Sequence, residues 1–324
     1  MNELQQILLS DAPLWITAAG YRQLMAAAFP KATPAPPQTA APALAASAAS
    51  VQLIDLRPYR TKTAEALASI VANAKGEADT ATLTDDFSSP DIPERSIAYH
   101  RIFGPVTARS CWCFSTVQFE HDIKEAEANP LISAHFLHIN SPGGEAWYLD
   151  RLGETLDACQ KPIVALYEQA CSAAYHIACH AQLVYATTQF DFVGCIGTMT
   201  SFYDFEPYYA EMGIKKVEAK AGQSDLKNKM FDDLRTGKPQ QFVSEVLNPM
   251  NDDFLHCVRT HRPKLAKLPD DAPVLRGETF YTKTAIELGL ADGQRTFEEA
   301  VAETAALGKK FADAQSVRDI IYSI

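Results

Sequence analysis

The sequence lacks three features that would assign its class at once. No apolar run reaches the roughly 20 residues of a membrane-spanning helix, and the N-terminus has no basic region followed by an apolar core. Positive charge is also scarce, since 40 acidic residues outnumber 29 basic ones and the net charge is −11. This balance argues against a nucleic-acid-binding surface. We therefore expect a cytoplasmic chain without a membrane span and without a nucleic-acid partner.

Paired cysteine spacings are missing as well. The chain has seven cysteines, an odd number that is typical of reduced intracellular thiols rather than of a disulfide framework. The close pair in Cys111-Trp112-Cys113 has no second pair at zinc-finger spacing. The sequence therefore predicts no metal site and no cofactor.

The composition divides the chain into five parts. Residues 1–29 have an amphipathic helical pattern, and residues 30–50 are almost entirely Ala, Pro, Ser and Thr. This second part has linker composition, so we expect it to be flexible and dispensable for function. Residues 51–95 form a polar, partly helical lead-in to the main domain at 96–305, where apolar strand-like runs alternate with helical patterns. A helical tail is predicted at 306–324.

Two turns in the main domain stand out because each follows a predicted buried strand. The apolar run at Phe136–Ile139 ends in Ser-Pro-Gly-Gly at 141–144, where paired glycines leave backbone N–H groups uncovered. The run at Ile163–Tyr167 is followed by Ser172 at the start of an alanine-rich helix. A serine there lies near the positive end of the helix, which suits a developing anion. From these residues alone, an ordinary helix cap and an ordinary turn remain the alternative.

The order of several short segments resembles the signal peptide peptidase A family of serine peptidases, within the Clp protease/crotonase superfamily. The segments are Asn140-Ser141-Pro142-Gly143-Gly144, Lys161-Pro162-Ile163-Val164-Ala165, Ala170-Cys171-Ser172-Ala173-Ala174-Tyr175, Gly194-Cys195-Ile196-Gly197 and Gly289-Leu290-Ala291-Asp292-Gly293. Ser-Ala-Ala-Tyr after the second strand, and the opening Leu8–Ile16, are closer to the phage and prophage branch, which includes head-maturation proteases. The resemblance implies an α/β fold with a Clp protease/crotonase-like parallel-sheet spiral core and flanking helices.

The resemblance also implies a set of site residues. Ser172 would be the nucleophile and Lys227 its general base, with Lys229 as the fallback two residues along. No histidine lies between 181 and 204, where a Clp-type triad would place one. Burial in an apolar site lowers the pKa of a lysine toward neutrality, as a base requires. The N–H groups of Gly144 and Ala173 would form the oxyanion hole.

Four further residues complete the predicted site. Gly143 and Glu145 would bind the substrate as an extended strand. Cys195 stands where the family often has a serine that helps to orient the lysine, and a thiol is a weaker hydrogen-bond partner. Thr198 is the other candidate for this orienting role. Cys195 itself is a poor candidate for a nucleophile, because nothing near it in sequence favours a thiolate.

The predicted function is that of a homo-oligomeric serine endopeptidase acting on extended or unfolded polypeptides. The expected substrates are capsid or scaffold proteins of a phage or prophage, in the host cytoplasm or a virion assembly intermediate. Three alternatives stay open: a signal-peptide-degrading peptidase, a catalytically impaired assembly protein of the same fold, and a crotonase-type acyl-CoA enzyme. The last would need neither Ser172 nor Lys227.

Overall fold

A computed structural model of the chain describes residues 14–16, 81–110 and 113–322. The predicted linker at 30–50, the predicted helical content of 51–80 and the pair Cys111-Trp112 lie outside these residues. Most of the N-terminal part at 1–29 does so too.

The described chain alternates short strands and helices. Its strands are β1 (Leu14–Ile16), β2 (Leu83–Thr84), β3 (Ser96–Phe103), β4 (Val106–Thr107), β5 (Phe114–Ser115), β6 (Ile132–Ser141), β7 (Gly143–Glu145), β8 (Ile163–Cys171), β9 (Leu183–Ala186), β10 (Phe192–Gly194), β11 (Thr279–Tyr281) and β12 (Gly293–Gln294). Its main helices are α1 (Thr116–Ala128), α2 (Leu149–Asp157), α3 (Ala173–Ala178), α4 (Glu206–Glu211), α5 (Lys229–Arg235), α6 (Asn248–His261), α7 (Thr282–Leu288) and α8 (Phe297–Tyr322). A helical turn at Gln240–Phe242 and a π-helical turn at Val243–Leu247 lead into α6.

The main sheet has the order β11-β10-β8-β6-β3-β2. All of its pairings are parallel except that of β11 with β10. Strand β8 is paired by β9 along its first half and by β10 at its last three residues, so the sheet changes neighbours just before Ser172. Continuous apolar runs suit parallel strands covered on both faces, and β6 and β8 are buried over most of their length. The predicted α/β fold with a parallel sheet and flanking helices is confirmed.

A second, smaller sheet has the order β1-β7-β4-β5 and carries the glycine segment. Strand β1 pairs antiparallel with β7, so that Leu14 lies opposite Glu145 and Ile16 opposite Gly143. The helix predicted over residues 1–29 is therefore wrong at residues 14–16. An aromatic and a β-branched residue after a proline favour extended backbone, and the glycine strand offers them an edge to pair with.

The helices place the core around the serine turn. Leu149, Leu152 and Leu156 of α2 are buried on one face. Strand β2 pairs with Ile97 and Ala98, so the sheet begins upstream of the predicted boundary at residue 96. Helix α8 is continuous, and the predicted boundary between 305 and 306 falls inside it. Over the described residues, no helix combines the length and the apolarity that crossing a bilayer requires.

Candidate active site

Ser172 occupies a tight turn between β8 and α3. Its backbone has φ 55° and ψ −122°, a conformation that a residue with a side chain rarely adopts. Holding a non-glycine residue there costs of order 1–3 kcal/mol, and such strain clusters at functional sites. The same strand–turn–helix arrangement presents the nucleophile in α/β-hydrolases. The turn therefore gives Ser172 the backbone geometry of a presented nucleophile.

The surroundings of Ser172 fix this turn in place. Its N–H donates to the carbonyl of Gly194 at 2.8 Å, and its carbonyl accepts from the N–H groups of Tyr175 and His176. Every residue of α3 is buried, and the Tyr175 hydroxyl donates to the Leu290 carbonyl at 3.0 Å. The Ser172 hydroxyl is also buried and has no hydrogen-bond partner among the described residues. An unsatisfied buried hydroxyl is destabilising, so the stability of the fold does not account for a serine at position 172.

The predicted oxyanion donors lie on the two elements that meet at the serine. Helix α3 packs against β7, which places Ala173, the first residue of α3, beside the glycine strand. The first N–H groups of a helix have no intrahelical acceptor, so the Ala173 N–H is available to a bound group. Gly143 has φ 95°, and its N–H donates to the Ser141 hydroxyl at 3.2 Å. The structure thus brings Gly143, Gly144 and Ala173 to one place in the fold.

Gly144 is required by the close approach of β4. A Cβ atom at this position would lie 1.9 Å from the carbonyl oxygen of Val106, which is backbone and cannot move aside alone. We expect Gly144→Ala to lower the free energy of unfolding by about 3 kcal/mol, at the upper end of typical overpacking. Urea denaturation measures this change. Gly222→Ala is the control, because a Cβ there meets no atom within 4 Å. An unchanged urea midpoint for Gly144→Ala would contradict the close approach.

The Glu145 side chain has a structural contact that the sequence did not predict. Glu145 is buried, and its Oε2 accepts a hydrogen bond from the Ala108 N–H at 2.6 Å. The carboxylate thereby joins β7 to the residue that follows β4. Any contact of Glu145 with an extended substrate would consequently come from its backbone, and the substrate-binding role of Gly143 and Glu145 stays a prediction.

The two candidate lysine-orienting residues differ in their surroundings. Cys195 directly follows Gly194, which accepts from Ser172, and its backbone has φ 56°. Burial raises the pKa of the Cys195 thiol, so it is not a thiolate at neutral pH. Thr198 donates its hydroxyl proton to the Leu247 carbonyl at 2.9 Å. Cys195 is therefore beside the serine turn, whereas the Thr198 hydroxyl is engaged elsewhere.

The predicted bases are not assembled with the serine in this structure. Lys227 is exposed in a turn that precedes α5, and within the described chain no side chain is hydrogen bonded to the Ser172 hydroxyl. Lys229 is exposed at the start of α5 and forms an ion pair with Asp233. Activity through either lysine would therefore need a movement that brings the amine to Ser172.

Two backbone supports of the site were not predicted from the sequence. They are the Ser141 hydroxyl, which accepts from Gly143, and the Gly194 carbonyl, which accepts from Ser172. Ser141 had a local signal, because serine hydroxyls often bond the backbone two residues on in turns. The Gly194 contact had none, since it depends on the pairing of β8 with β10.

The comparison with protein families gives one match, and the comparison with curated proteins gives a relative. Residues 155–310 match the sequence model of Peptidase family S49. Protease 4 of Haemophilus influenzae is 28% identical over 185 residues, which cover 55% of this chain and 29% of that protein. The chain thus spans less than a third of the curated relative that it matches. The family match and this relative support the resemblance to serine peptidases of the signal peptide peptidase A type, which is the S49 type.

Similar solved structures include members of two functional groups. An enoyl-CoA hydratase/isomerase family member has a TM-score of 0.36 at 15% identity, with 72% of this chain and 82% of that chain covered. A membrane-bound stomatin-specific protease in complex with a substrate peptide has a TM-score of 0.39 at 13% identity, with 64% and 79% covered. Both likenesses are weak in sequence identity and in TM-score.

Proposed function

We propose that this chain is a serine endopeptidase in which Ser172 attacks the peptide carbonyl. The observation that carries the proposal is the strained turn at Ser172, whose buried hydroxyl has no hydrogen-bond partner in the part of the chain that the structure describes. The helix that follows this turn packs against the glycine strand. The match to Peptidase family S49 over residues 155–310 supports the same reaction class. The identity of the base, the substrate class and the assembly into oligomers are parts of the same proposal.

The substrate would bind as an extended strand along β7. This edge accepts an antiparallel strand, since β1 of the same chain pairs there with Gly143–Glu145. Backbone pairing of this kind reads an extended chain rather than a folded surface. Unfolded or loosely folded segments are therefore the substrate class that the edge favours.

The reaction would proceed in two halves. The Ser172 oxygen forms a bond to the peptide carbonyl carbon while Lys227 takes the hydroxyl proton. The N–H groups of Gly144 and Ala173 bind the oxyanion, and removal of one such donor typically lowers kcat by about 10²–10³-fold. The carbon–nitrogen bond then breaks, and Lys227 returns the proton to the leaving amine. Water hydrolyses the remaining ester and regenerates Ser172.

Strand β1 would compete with the substrate for the same edge. We expect that deleting residues 1–16 raises kcat/KM for an unfolded protein substrate several-fold, because β7 becomes free. Trp15→Pro is the matched point variant, since proline disfavours pairing within a strand. Steady-state hydrolysis with each variant measures the effect. Unchanged kcat/KM in both variants would show that β1 does not occupy the substrate edge.

Assembly of several copies would bring the Lys227 amine to Ser172. The segment at 199–229, which we call the lysine segment, exposes large apolar side chains. They include Phe202, Tyr208, Tyr209, Met212, Ile214 and Leu226. A second copy of the chain is the occupant that we propose for this surface, because covering it would also remove Lys227 from water. Light scattering should then show a mass well above the 35.5 kDa of one chain.

The proposed substrates are capsid or scaffold proteins of a phage or prophage, in the host cytoplasm or a virion assembly intermediate. Support comes from the Ser-Ala-Ala-Tyr sequence at 172–175 and from the extended-strand edge at β7. A purified capsid–scaffold assembly should be trimmed by the wild-type chain. Degradation of membrane-released signal peptides, with the assembly untouched, would instead favour the signal-peptide-degrading alternative.

A catalytically impaired assembly protein of the same fold is the second candidate function. The specific observation in its favour is the exposed position of Lys227. Labelling with a fluorophosphonate, together with hydrolysis of an unfolded protein, separates the two. The active peptidase should be labelled in the wild-type and Ser201→Ala chains and unlabelled in Ser172→Ala. Absence of both labelling and hydrolysis in the wild-type oligomer would favour the impaired protein.

A further inference from the structure

Two cysteines and two histidines from distant parts of the chain converge at the end of α3 opposite Ser172. Cys179 directly follows α3 and His180 comes next, whereas Cys257 and His261 lie one turn apart on α6. One sulfur or ring nitrogen from each residue lies within 4.8 Å of all the others. Both cysteines are buried and neither is in a disulfide. The four donors are those of a structural zinc site.

The distances around Cys257 fit tetrahedral coordination. Its sulfur lies 3.3 Å from the Cys179 sulfur, 3.2 Å from His180 Nε2 and 3.8 Å from His261 Nδ1. Zinc bonds of about 2.3 Å to sulfur and 2.0–2.1 Å to nitrogen give ligand–ligand edges of about 3.3–3.8 Å. The measured separations are close to these edges, so small side-chain rotations would suffice for binding.

Asp157 orients both imidazole rings from outside the cluster. Its Oδ1 lies 2.7 Å from His180 Nδ1 and 2.8 Å from His261 Nε2. A ring nitrogen that donates to a carboxylate leaves the other nitrogen of a neutral imidazole with its lone pair free for a metal. This carboxylate–histidine arrangement recurs around protein-bound zinc. His261 Nδ1 also lies 2.8 Å from the Cys257 carbonyl oxygen, a contact that ligation would replace.

We propose that Cys179, His180, Cys257 and His261 bind one Zn²⁺ ion, with Asp157 as the positioning residue for both histidines. Binding would release the two thiol protons to solvent, and two thiolates would neutralise the charge of the ion. The protein fills all four positions, which makes the site structural rather than catalytic. The proposal does not depend on the proposed peptidase activity.

The site would fix the serine helix from its far end. Cys179 and His180 directly follow α3, the helix that begins after Ser172, whereas Cys257 and His261 belong to α6. Because α3 has only six residues, an anchor at one end restricts the other. Zinc would therefore stabilise the fold and the strained serine turn together.

The first test is the metal content of the full-length, untagged chain, purified under reducing conditions. Elemental analysis should find one zinc per chain in the wild type and none in Cys179→Ser or Cys257→Ser. Cys159→Ser is the matched control, because Cys159 belongs to a separate group with Glu127 and His135. It should retain its zinc. Loss of zinc in Cys159→Ser, or retention in both other variants, would overturn the assignment.

The second test uses the wild-type chain alone, so it does not depend on the folding of any variant. After zinc is removed by a chelator, added ZnCl₂ should raise the melting temperature and saturate at one equivalent. CoCl₂ should give the visible absorption of a tetrahedral thiolate site. A wild-type chain without zinc that shows neither response would overturn the proposal. So would a Cys179–Cys257 disulfide in the reduced, zinc-supplied protein.

Discussion

Replacing Ser172 with alanine should abolish peptide hydrolysis and leave the fold at least as stable as in the wild type. Removing a nucleophile that acts together with its base lowers kcat by about 10⁶-fold in a serine protease. The stability expectation follows from the structure, because the buried Ser172 hydroxyl has no hydrogen-bond partner within residues 14–16, 81–110 and 113–322. Alanine removes that unsatisfied group, which is destabilising by about 1–3 kcal/mol when buried. Single-turnover kinetics and thermal denaturation measure the two effects.

Ser172→Gly separates the role of the hydroxyl from the strain of the turn. Glycine adopts positive φ readily, so this variant should also be inactive, and its melting temperature should be no lower than that of the wild type. A large fall in melting temperature for both variants would mean that Ser172 has a structural role that the turn does not show. Retention of wild-type hydrolysis by Ser172→Ala would remove the nucleophile assignment.

The strands and turns of the site were predictable because their signals are local. The strands β6 and β8 each contain a short, mainly apolar run, and each ends at a turn marked by Gly143-Gly144 or by Ser172. Parallel strands end at the same edge of a sheet, so placing these turns together needs only the fold class. The strain at Ser172 and the contact of Gly144 with Val106 needed coordinates, since both depend on the exact path of the backbone.

The features that sequence reasoning missed join residues far apart in the chain. Strand β1 was predicted as helix because the helical period of residues 1–29 outweighed three residues whose partner lies near residue 144. The cysteine–histidine cluster was missed because only close cysteine pairs were considered. Cys257 and His261 are four residues apart on one helix, a spacing that places two metal ligands on the same face. Cys179 and His180 become adjacent to them only when α3 packs against α6.

For the general base, the resemblance predicts Lys227, but this residue is exposed in the single chain. Lys227 is part of the lysine segment, and within the described residues it makes no hydrogen bond to the Ser172 hydroxyl. Cys195 follows Gly194, whose carbonyl accepts from the Ser172 N–H. We propose that oligomerisation brings Lys227 to Ser172. The site of one chain would then be incomplete, and the activity per chain should rise with protein concentration until assembly is complete.

Replacing Lys227 with alanine should lower kcat of the assembled protein by about 10²–10⁴-fold, the usual contribution of a general base. Lys227→Arg is the matched variant, since it keeps the charge and length but cannot give up its proton, and it should be equally inactive. Lys229→Ala should retain activity, because that side chain pairs with Asp233 on the surface of α5. Light scattering must show the same assembly for all three variants, so that a loss of kcat reports the base and not the oligomer. If Lys229→Ala is inactive and Lys227→Ala is active, the base is Lys229. If all three keep full activity, a Ser-Lys mechanism is wrong for this chain, and another group must take the proton from Ser172.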